Sequence, residues 1–517
     1  MRAIDFFDNA AGRNPDGICL QDTYRKRSFS EVQARTCKIA NSLAAEGFGP
    51  GAKAGLYVPN CVEAMEVILS FFRAGVAWVP ANSKNAVEDI CSFLDSCETD
   101  LLFYHSKFEG AIDRVRELCP SIRRFICVDK AGAYGPFMDE WCQDAAQTDP
   151  DIPLGPEALL AIMPSGGTTG KPKGIMLSQL NWATMIASLL ASVEVGEDAA
   201  YLAATPVTHG AGAAGLTLMA GGARVIILPD FDPQNVLDTM EKERVTHLFL
   251  PPTAIYMLLS QPGIEQRNFP ALRGFLYAAA PMAVDKLRQC LKIFGPVMIQ
   301  TYGQTEAPMF CTILTAQDHL AAIDDLNKAG RLASCGRPGF LTKVGIMDDD
   351  GNLLGPGERG EIVVRGNLVM KGYYKNPAAT DEVSQFGWHH TGDIGVMDDD
   401  FYLYVVDRKK DMIISGGFNV YPAEVEQVIW SHPAVQDCAV IGVPDEKWGE
   451  AVKAVIECKP GAHVEGDEII ALCKEKLGSV RTPKTVEIRD SLPRTPVGKV
   501  SKKDIRAPYW QGHDRMI

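Results

Sequence analysis

The chain lacks the usual marks of several protein classes. Its 14 cysteines contain no C-x-x-C pair, and none of its nine histidines forms a pair at metal-ligand spacing. That excludes the common zinc-site and thioredoxin-like patterns, and scattered cysteines read as reduced, mostly buried thiols of a cytoplasmic protein. No apolar run reaches the roughly 18 residues of a membrane span. The most apolar stretch, Gly210 to Gly222, is built of small residues and stops at Arg224. The start, Met1-Arg2-Ala3-Ile4-Asp5, shows no signal-peptide core. Positive charge is also short: 51 Lys and Arg face 65 Asp and Glu, a net charge of −14. Such a chain is repelled by nucleic acid and by anionic membranes, so neither is an expected partner. It binds anions only where local dipoles and a few cations overrule the global field.

What is present is length and rhythm. At 517 residues there is room for about three packed units. The first 330 residues alternate β-rich runs with helical patterns, as in Lys53–Val58, Cys61–Ala74 and Val76–Pro80, then Leu101–His105 and Arg124–Asp129. The rhythm returns at Tyr201–Thr205, Arg224–Leu228, Thr246–Leu250, Gly274–Ala278 and Val297–Tyr302. This is βαβ logic and predicts two doubly wound α/β lobes with parallel sheets. From about Gly336 to Val406 the runs Lys343–Met347, Gly360–Arg365 and Phe401–Val406 are separated by Asp- and Gly-rich turns, which predicts a small β-rich subdomain. Asp348-Asp349-Asp350-Gly351 and Asp398-Asp399-Asp400 read as hairpin turns rather than metal sites. The expected large N-terminal domain spans 1–406. The charge run Asp407 to Asp411 is the expected hinge, and 411–517 an α+β lid. Residues 481–517 carry nine Lys and Arg against four Asp and Glu. A basic end beside an acidic body suggests an anion between them.

The strongest local signal is Ser165-Gly166-Gly167-Thr168-Thr169-Gly170-Lys171-Pro172-Lys173-Gly174, directly after the strand-like run Leu159–Met163. Glycines let the backbone turn its N–H groups onto phosphate oxygens, while threonine hydroxyls and lysine add donors and charge. It is not a Walker A loop. Ser165 stands where the first glycine belongs, and Pro172 where a hydroxyl residue would bind magnesium.

This loop resembles the signature of the adenylate-forming superfamily, which includes acyl-CoA synthetases and aryl-CoA ligases of the AMP-forming type. Gln300-Thr301-Tyr302-Gly303-Gln304-Thr305-Glu306 is similar to its Tyr-Gly-x-Thr-Glu element. Thr391-Gly392-Asp393, Asp407-Arg408 and Pro496-Val497-Gly498-Lys499 match three more, in order along the chain. The resemblance implies ATP, Mg2+ and coenzyme A as cofactor and co-substrates, and a carboxylic acid as substrate. It implies an ATP site of Ser165, Gly166, Gly167, Thr168, Thr169, Gly170, Lys173, Ala279, Ala280, Pro281, Tyr302, Gly303, Gln304, Thr305, Asp393, Arg408 and Lys499. Tyr302 and Ala279-Ala280-Pro281 would flank adenine, Asp393 and Arg408 would meet the ribose, and Thr305 the α-phosphate. Glu306 would hold Mg2+, since that ion takes one or two carboxylates plus phosphate oxygens. Lys499 would bridge the acid and the α-phosphate. Lys410 matches the hinge position, and Ser415-Gly416-Gly417 the pantetheine path.

Pro206-Val207-Thr208-His209-Gly210 resembles the family's gate segment, with Thr208 where an aromatic residue is usual. His209, Gly210, Ala213, Ala214 and Tyr277 are the expected acyl pocket, His209 also acting in catalysis. Small residues there leave room for a bulky aromatic, arylalkanoic or cyclic acid. Close helix packing explains them equally well, so a medium- or long-chain fatty acid stays open. Gly166, where many relatives carry a hydroxyl residue, costs one phosphate contact. The chain runs 18 residues past Lys499, which favours CoA over a fused carrier domain as acceptor. A stand-alone enzyme loading a separate carrier protein remains an alternative, and a homodimer is left open.

Overall fold

The computed structural model describes residues 1–165, 172–494 and 500–511. Two twisted sheets dominate the N-terminal part. The first has seven strands in the spatial order Gly372–Tyr373, Gly174–Ser178, Leu159–Pro164, Ala77–Pro80, Lys53–Tyr57, Leu101–Tyr104, Arg124–Cys127. The second has nine: Arg337–Pro338, Ala307–Leu314, Met298–Gln304, Gly274–Tyr277, His247–Leu250, Ala200–Ala203, Arg224–Ile227, Ile18–Gln21, Lys26–Ser28. Both are parallel at their centres and doubly wound. In the second sheet the chain leaves Ala200–Ala203 toward Arg224–Ile227, then returns to His247–Leu250 on the other side.

The parallel strands form where apolar runs are nearly continuous. Leu101–Tyr104, His247–Leu250 and Gly274–Tyr277 are buried at every position, as strands covered on both faces must be. The helix Val62–Ala74 is also buried all round and ends at Gly75, whose φ of 69° needs a residue without Cβ. One apolar cluster runs through both lobes, joining Trp78 and Leu160 of the first to Tyr201, Ala214 and Leu276 of the second. Separate clusters fill the outer faces of each lobe.

The lobes interleave rather than follow one another. The hairpin Ile18–Gln21/Lys26–Ser28 joins the second sheet beside Arg224–Ile227, and Gly372–Tyr373 closes the edge of the first. Two antiparallel returns, Gly174–Ser178 and Ala307–Leu314, add to the predicted parallel strands.

The β-rich region is an antiparallel sheet of Lys343–Met347, Arg359–Arg365, His389–Met397 and Leu403–Arg408. Its Asp-rich segments are turns: Asp348 accepts from the backbone N–H groups of Asp350 and Asn352, and Asp398 from those of Asp400 and Tyr402. Beyond it, the helices Pro422–Trp430 and Gly466–Arg481 pack on a five-stranded sheet around Val425, Ile429, Val440, Val452 and Ile469. Thirteen of the cysteines are buried, Cys458 is half-buried, and all are free. Among the described residues no helix is long and apolar enough to cross a membrane.

Candidate active site

In open α/β sheets, ligands sit beyond the carboxyl ends of the strands where the winding reverses. In the second sheet, three sequence-predicted segments emerge there. Pro206–His209 follows Ala200–Ala203, Ala279–Pro281 follows Gly274–Tyr277, and Tyr302 to Glu306 ends Met298–Gln304.

One close backbone approach and one left-handed residue shape this edge. A Cβ on Gly303 would lie 2.6 Å from the Met309 nitrogen and 2.7 Å from the Ala307 oxygen, so only glycine lets the strand fold back here. Ala279 holds a φ of +77°, a conformation alanine adopts only when its surroundings impose it. Ala279 and Pro281 are exposed, so this wall is open to a ligand.

The structure brings Tyr302, Asp393 and Arg408 together from three strands. The Tyr302 hydroxyl donates to Asp393 Oδ2 at 2.6 Å, and Arg408 Nε pairs with Asp393 Oδ1 at 2.8 Å. Asp393 and Arg408 are cross-strand partners. Burial and the Asp393 charge push the Tyr302 phenol well above its ordinary value, so it stays a donor. Gln304 Nε2 donates to the Thr391 carbonyl at 3.3 Å, tying the two motifs.

The mouth of the phosphate loop is a closed hairpin. Ser165 N donates to Lys173 O, and Lys173 N donates to Ser165 Oγ, both at 2.9 Å. Gly166, Gly167, Thr168, Thr169 and Gly170 lie outside the described residues, as does Lys499. Lys173 Nζ stands 4.8 Å over the Tyr373 ring, a cation–π contact. The Tyr373 hydroxyl donates to Glu306 Oε1 at 2.9 Å. Burial and the Glu306 charge raise this phenol too. Thr305 and Glu306 occupy the turn between Met298–Gln304 and Ala307–Leu314. Glu306 is one oriented carboxylate, and no cluster of three or more metal-ligating side chains occurs among the described residues. One carboxylate fits Mg2+ that takes its remaining ligands from nucleotide phosphates and water.

His209 is exposed and precedes the helix Gly210–Ala220, which carries Gly210, Ala213 and Ala214. Ala213 is half-buried, while Ala214 is in the shared core. Gly212 is obligatory for packing, since a Cβ there would meet the Val207 carbonyl at 1.7 Å. The gate segment is pinned by Asn60. Its Nδ2 donates to the carbonyls of Thr205 and Leu228, and its Oδ1 accepts from Val207 N.

Tyr277 is a correction. It points with Phe275 into the core on the opposite face of the sheet, while Leu276 and Ala278 face the cluster that holds Ala214. Strand alternation separates it from the Gly210–Ala220 helix. Its hydroxyl is hydrogen-bonded with His319 Nε2 at 2.9 Å.

After the strand Leu403–Arg408, Lys410 lies in the short 3-10 turn Lys409–Asp411. Gly416 and Gly417 take φ values of 59° and 82°, making the tight turn after Ser415, and Gly416 N donates to the Trp448 carbonyl. Lys409 Nζ contacts Asp349 and Glu361, and Glu361 Oε1 accepts from Gly392 N.

A family model of AMP-binding enzymes matches residues 7–374, and one of the AMP-binding enzyme C-terminal domain matches 424–499. The chain belongs to the AMP-binding enzyme family. This AMP-binding enzyme is 35% identical over 503 residues to feruloyl-CoA synthase of Amycolatopsis sp, covering 96% of this chain and 97% of that one. It is 40% identical over 526 residues to the medium/long-chain-fatty-acid–CoA ligase FadD8 of Mycobacterium tuberculosis, covering 98% and 89%. Its fold matches ATP-bound MatB of Rhodopseudomonas palustris with a TM-score of 0.88 at 29% identity, over 98% of this chain and 99% of that one. The architecture is therefore the α/β fold of adenylate-forming enzymes, a large N-terminal domain followed by a C-terminal domain.

Sequence reasoning on this AMP-binding enzyme missed Asn60, Glu361 and Tyr373. Each acts on a motif far along the chain, and no local pattern marks them. Tyr373 follows Gly372, whose φ is 137°, and precedes Lys375, a non-glycine residue with a φ of 52°.

Proposed function

We propose that the protein is an AMP-forming acid–CoA ligase for a bulky aromatic, arylalkanoic or cyclic acid. The observation that carries the nucleotide half is the Tyr302–Asp393–Arg408 constellation at the carboxyl edge of the parallel strands. A carboxylate held there accepts hydrogen bonds from ribose hydroxyls, and a half-buried tyrosine offers its ring to adenine.

In the first step a carboxylate oxygen of the acid attacks the α-phosphorus of ATP. The new O–P bond forms as the bond to the β-phosphate oxygen breaks, and pyrophosphate leaves. Such a transfer is mostly positioning and charge neutralisation. Thr305 donates to the α-phosphate, Lys173 and the loop 165–170 meet the outer phosphates, and Glu306 would hold Mg2+ with them. Mg2+ supplies charge neutralisation at the phosphates when bound. Lys499 is delivered to the charge that develops between acid and phosphate; one such donor contributes about 10²–10³ in rate. In the second step the CoA sulfur attacks the acyl carbon, the C–S bond forms, the C–O bond to AMP breaks, and the thiol proton passes to solvent. The two steps need different groups at one place, which favours a lid, residues 411–517, turning about Lys410 and bringing Ser415-Gly416-Gly417 to the thiol path.

The half-buried Ala213 and the small residues around it support a roomy acyl pocket beside His209, as does kinship to an enzyme named for a feruloyl group. A fatty acid is the second reading, favoured by the 40% identity to FadD8. The test is AMP formation with ATP, Mg2+ and CoA across aromatic, cyclic and straight-chain acids, with Lys499→Ala alongside. Turnover of aromatic or cyclic acids, lost in Lys499→Ala, is the expected result. No AMP with any acid refutes the ligase, and a clear preference for straight chains refutes the bulky pocket.

A further inference from the structure

The strand His389–Met397 carries a bulge where it presents Asp393. On the side facing Arg359–Arg365, Val363 pairs with His390 and Glu361 with Ile394. Ile362 alone therefore lies opposite Thr391, Gly392 and Asp393. Bulges of this kind re-aim a side chain and leave backbone groups without ladder partners. Here side chains take the partners' place. The Thr391 hydroxyl donates to the Ile362 carbonyl at 2.7 Å and accepts from Asp393 N at 3.1 Å. Gly392, with a φ of 71°, turns its N–H onto Glu361 Oε1 at 3.0 Å.

Glu361 is buried in the sheet, where a carboxylate is costly unless its oxygens are engaged. The second oxygen is engaged too. Oε2 lies 3.2 Å from Lys409 Nζ and 3.1 Å from His390 Nδ1. Lys409 reaches on to the exposed Asp349 at 2.8 Å, a surface pair that contributes little by itself. Gly392 immediately precedes Asp393. Lys409 immediately follows Arg408, which pairs with Asp393 across the ladder. One buried carboxylate thus grips both chain segments that bring Asp393 and Arg408 together.

We propose that Glu361 is a positioning residue for the nucleotide ribose, setting the Asp393–Arg408 pair so that the Asp393 carboxylate meets the ribose hydroxyls. This rests on the ribose role given to Asp393 above. With Glu361 replaced, Asp393 keeps its charge, but the bulge loses the acceptor that fixes Gly392 N and Lys409. Preference for the ribose hydroxyls then falls, while contacts to the base and the phosphate remain.

The experiment measures calorimetric binding of AMP and of 2′,3′-dideoxy-AMP to the parent, Glu361→Met, Glu361→Gln and Lys409→Met, with the thermal midpoint of each. In the parent, AMP should bind at least about tenfold tighter than the dideoxy nucleotide, as expected for hydroxyls bonded to a carboxylate. Glu361→Met should bring that ratio to about threefold or less, by raising Kd for AMP and leaving Kd for the dideoxy nucleotide within about twofold. Glu361→Gln keeps an acceptor for Gly392 N without the charge for Lys409, and Lys409→Met removes the partner of that charge. Both should therefore fall between, within about twofold of each other, and both remain informative if Glu361→Met does not fold. A parent ratio kept in all the folded variants overturns the proposal and leaves the ribose role of Asp393 intact. Equal weakening of both nucleotides means general damage to the site and overturns it too. A parent that does not distinguish the two nucleotides overturns the ribose role, and the proposal with it.

Discussion

The Tyr302 hydroxyl and the Asp393 carboxylate are joined at 2.6 Å across 91 residues of sequence. With Arg408 on the other oxygen, the carboxylate is aimed before any nucleotide arrives. The proposed adenine wall and the proposed ribose acceptor are thus joined in one unit, and its parts can be separated by substitution.

Tyr302→Phe keeps the ring and removes the donor. A hydrogen bond to a charged acceptor is worth about 1.5–3 kcal/mol, so kcat/KM for ATP should fall by at least tenfold. The fall should sit mainly in KM for ATP, with KM for the acid unchanged. A parent-like KM for ATP would show that Asp393 needs no help from the phenol.

Glu306→Gln should raise the Mg2+ concentration needed for half-maximal AMP formation by about tenfold or more, because an amide oxygen carries no net charge for a hard cation. The Tyr373 hydroxyl can still donate to the amide oxygen, which keeps the local packing. Magnesium titration of both proteins checks this. Identical curves would remove Glu306 from the metal site.

Ala213→Phe tests the pocket's width. Ala213 is half-buried on the Gly210–Ala220 helix, at the margin of the main apolar cluster, so a phenyl ring there fills space beside His209, and folding of the variant is checked by the thermal midpoint. Turnover of bulky aromatic acids should drop more than tenfold relative to short straight-chain acids, a difference above about 1.4 kcal/mol. Equal losses for all acids would place the pocket elsewhere.

Acid should destabilise the fold well above the carboxylate range. Burial lowers His247, His319 and His389 from 6.5 to about 4. His319 shows why. It is fully buried, and that burial outweighs both the Thr315 carbonyl 2.7 Å from its Nδ1 and the nearby Asp318 charge, which favour the protonated ring. All three are neutral when folded and take up protons below 6.5 when unfolded. Their stabilising effect is therefore complete above about pH 6.5 and lost as pH falls toward 4, by up to roughly 3 kcal/mol each. Urea midpoints between pH 7.5 and 4.5 should fall steeply, and His389→Phe should reduce the slope. A flat profile would contradict the assignment.

Much of this architecture was legible in sequence because it is local. The antiparallel strand Lys343–Met347 forms with the predicted bounds, and the predicted parallel strands of the two large sheets differ by a residue or two at their ends. Long apolar runs announce buried strands, and glycine-rich turns announce the site loops. What escaped was non-local. The return strands Gly174–Ser178 and Ala307–Leu314 find partners only once the sheet exists. Tyr277 was misplaced because a strand buried on both faces has no polar alternation to reveal its direction. Asn60, Glu361 and Tyr373 are ordinary residues until the fold gives them partners.

The interleaving of the two sheets has a consequence for synthesis. Ile18–Gln21 leaves the ribosome early, yet its partner Arg224–Ile227 is made some two hundred residues later, and the first sheet's edge waits for Gly372–Tyr373. The second sheet cannot finish before Arg337–Pro338 is made, about two thirds of the way along the chain, nor the first before nearly three quarters. At 5–20 residues per second, about 10–40 s separate the first hairpin from its partner strand. Through that interval the other edge of an apolar strand stands exposed, so the nascent chain should depend on chaperones more than its final sheets suggest. The segment after Asp411, whose sheet pairs only within itself, has no such wait.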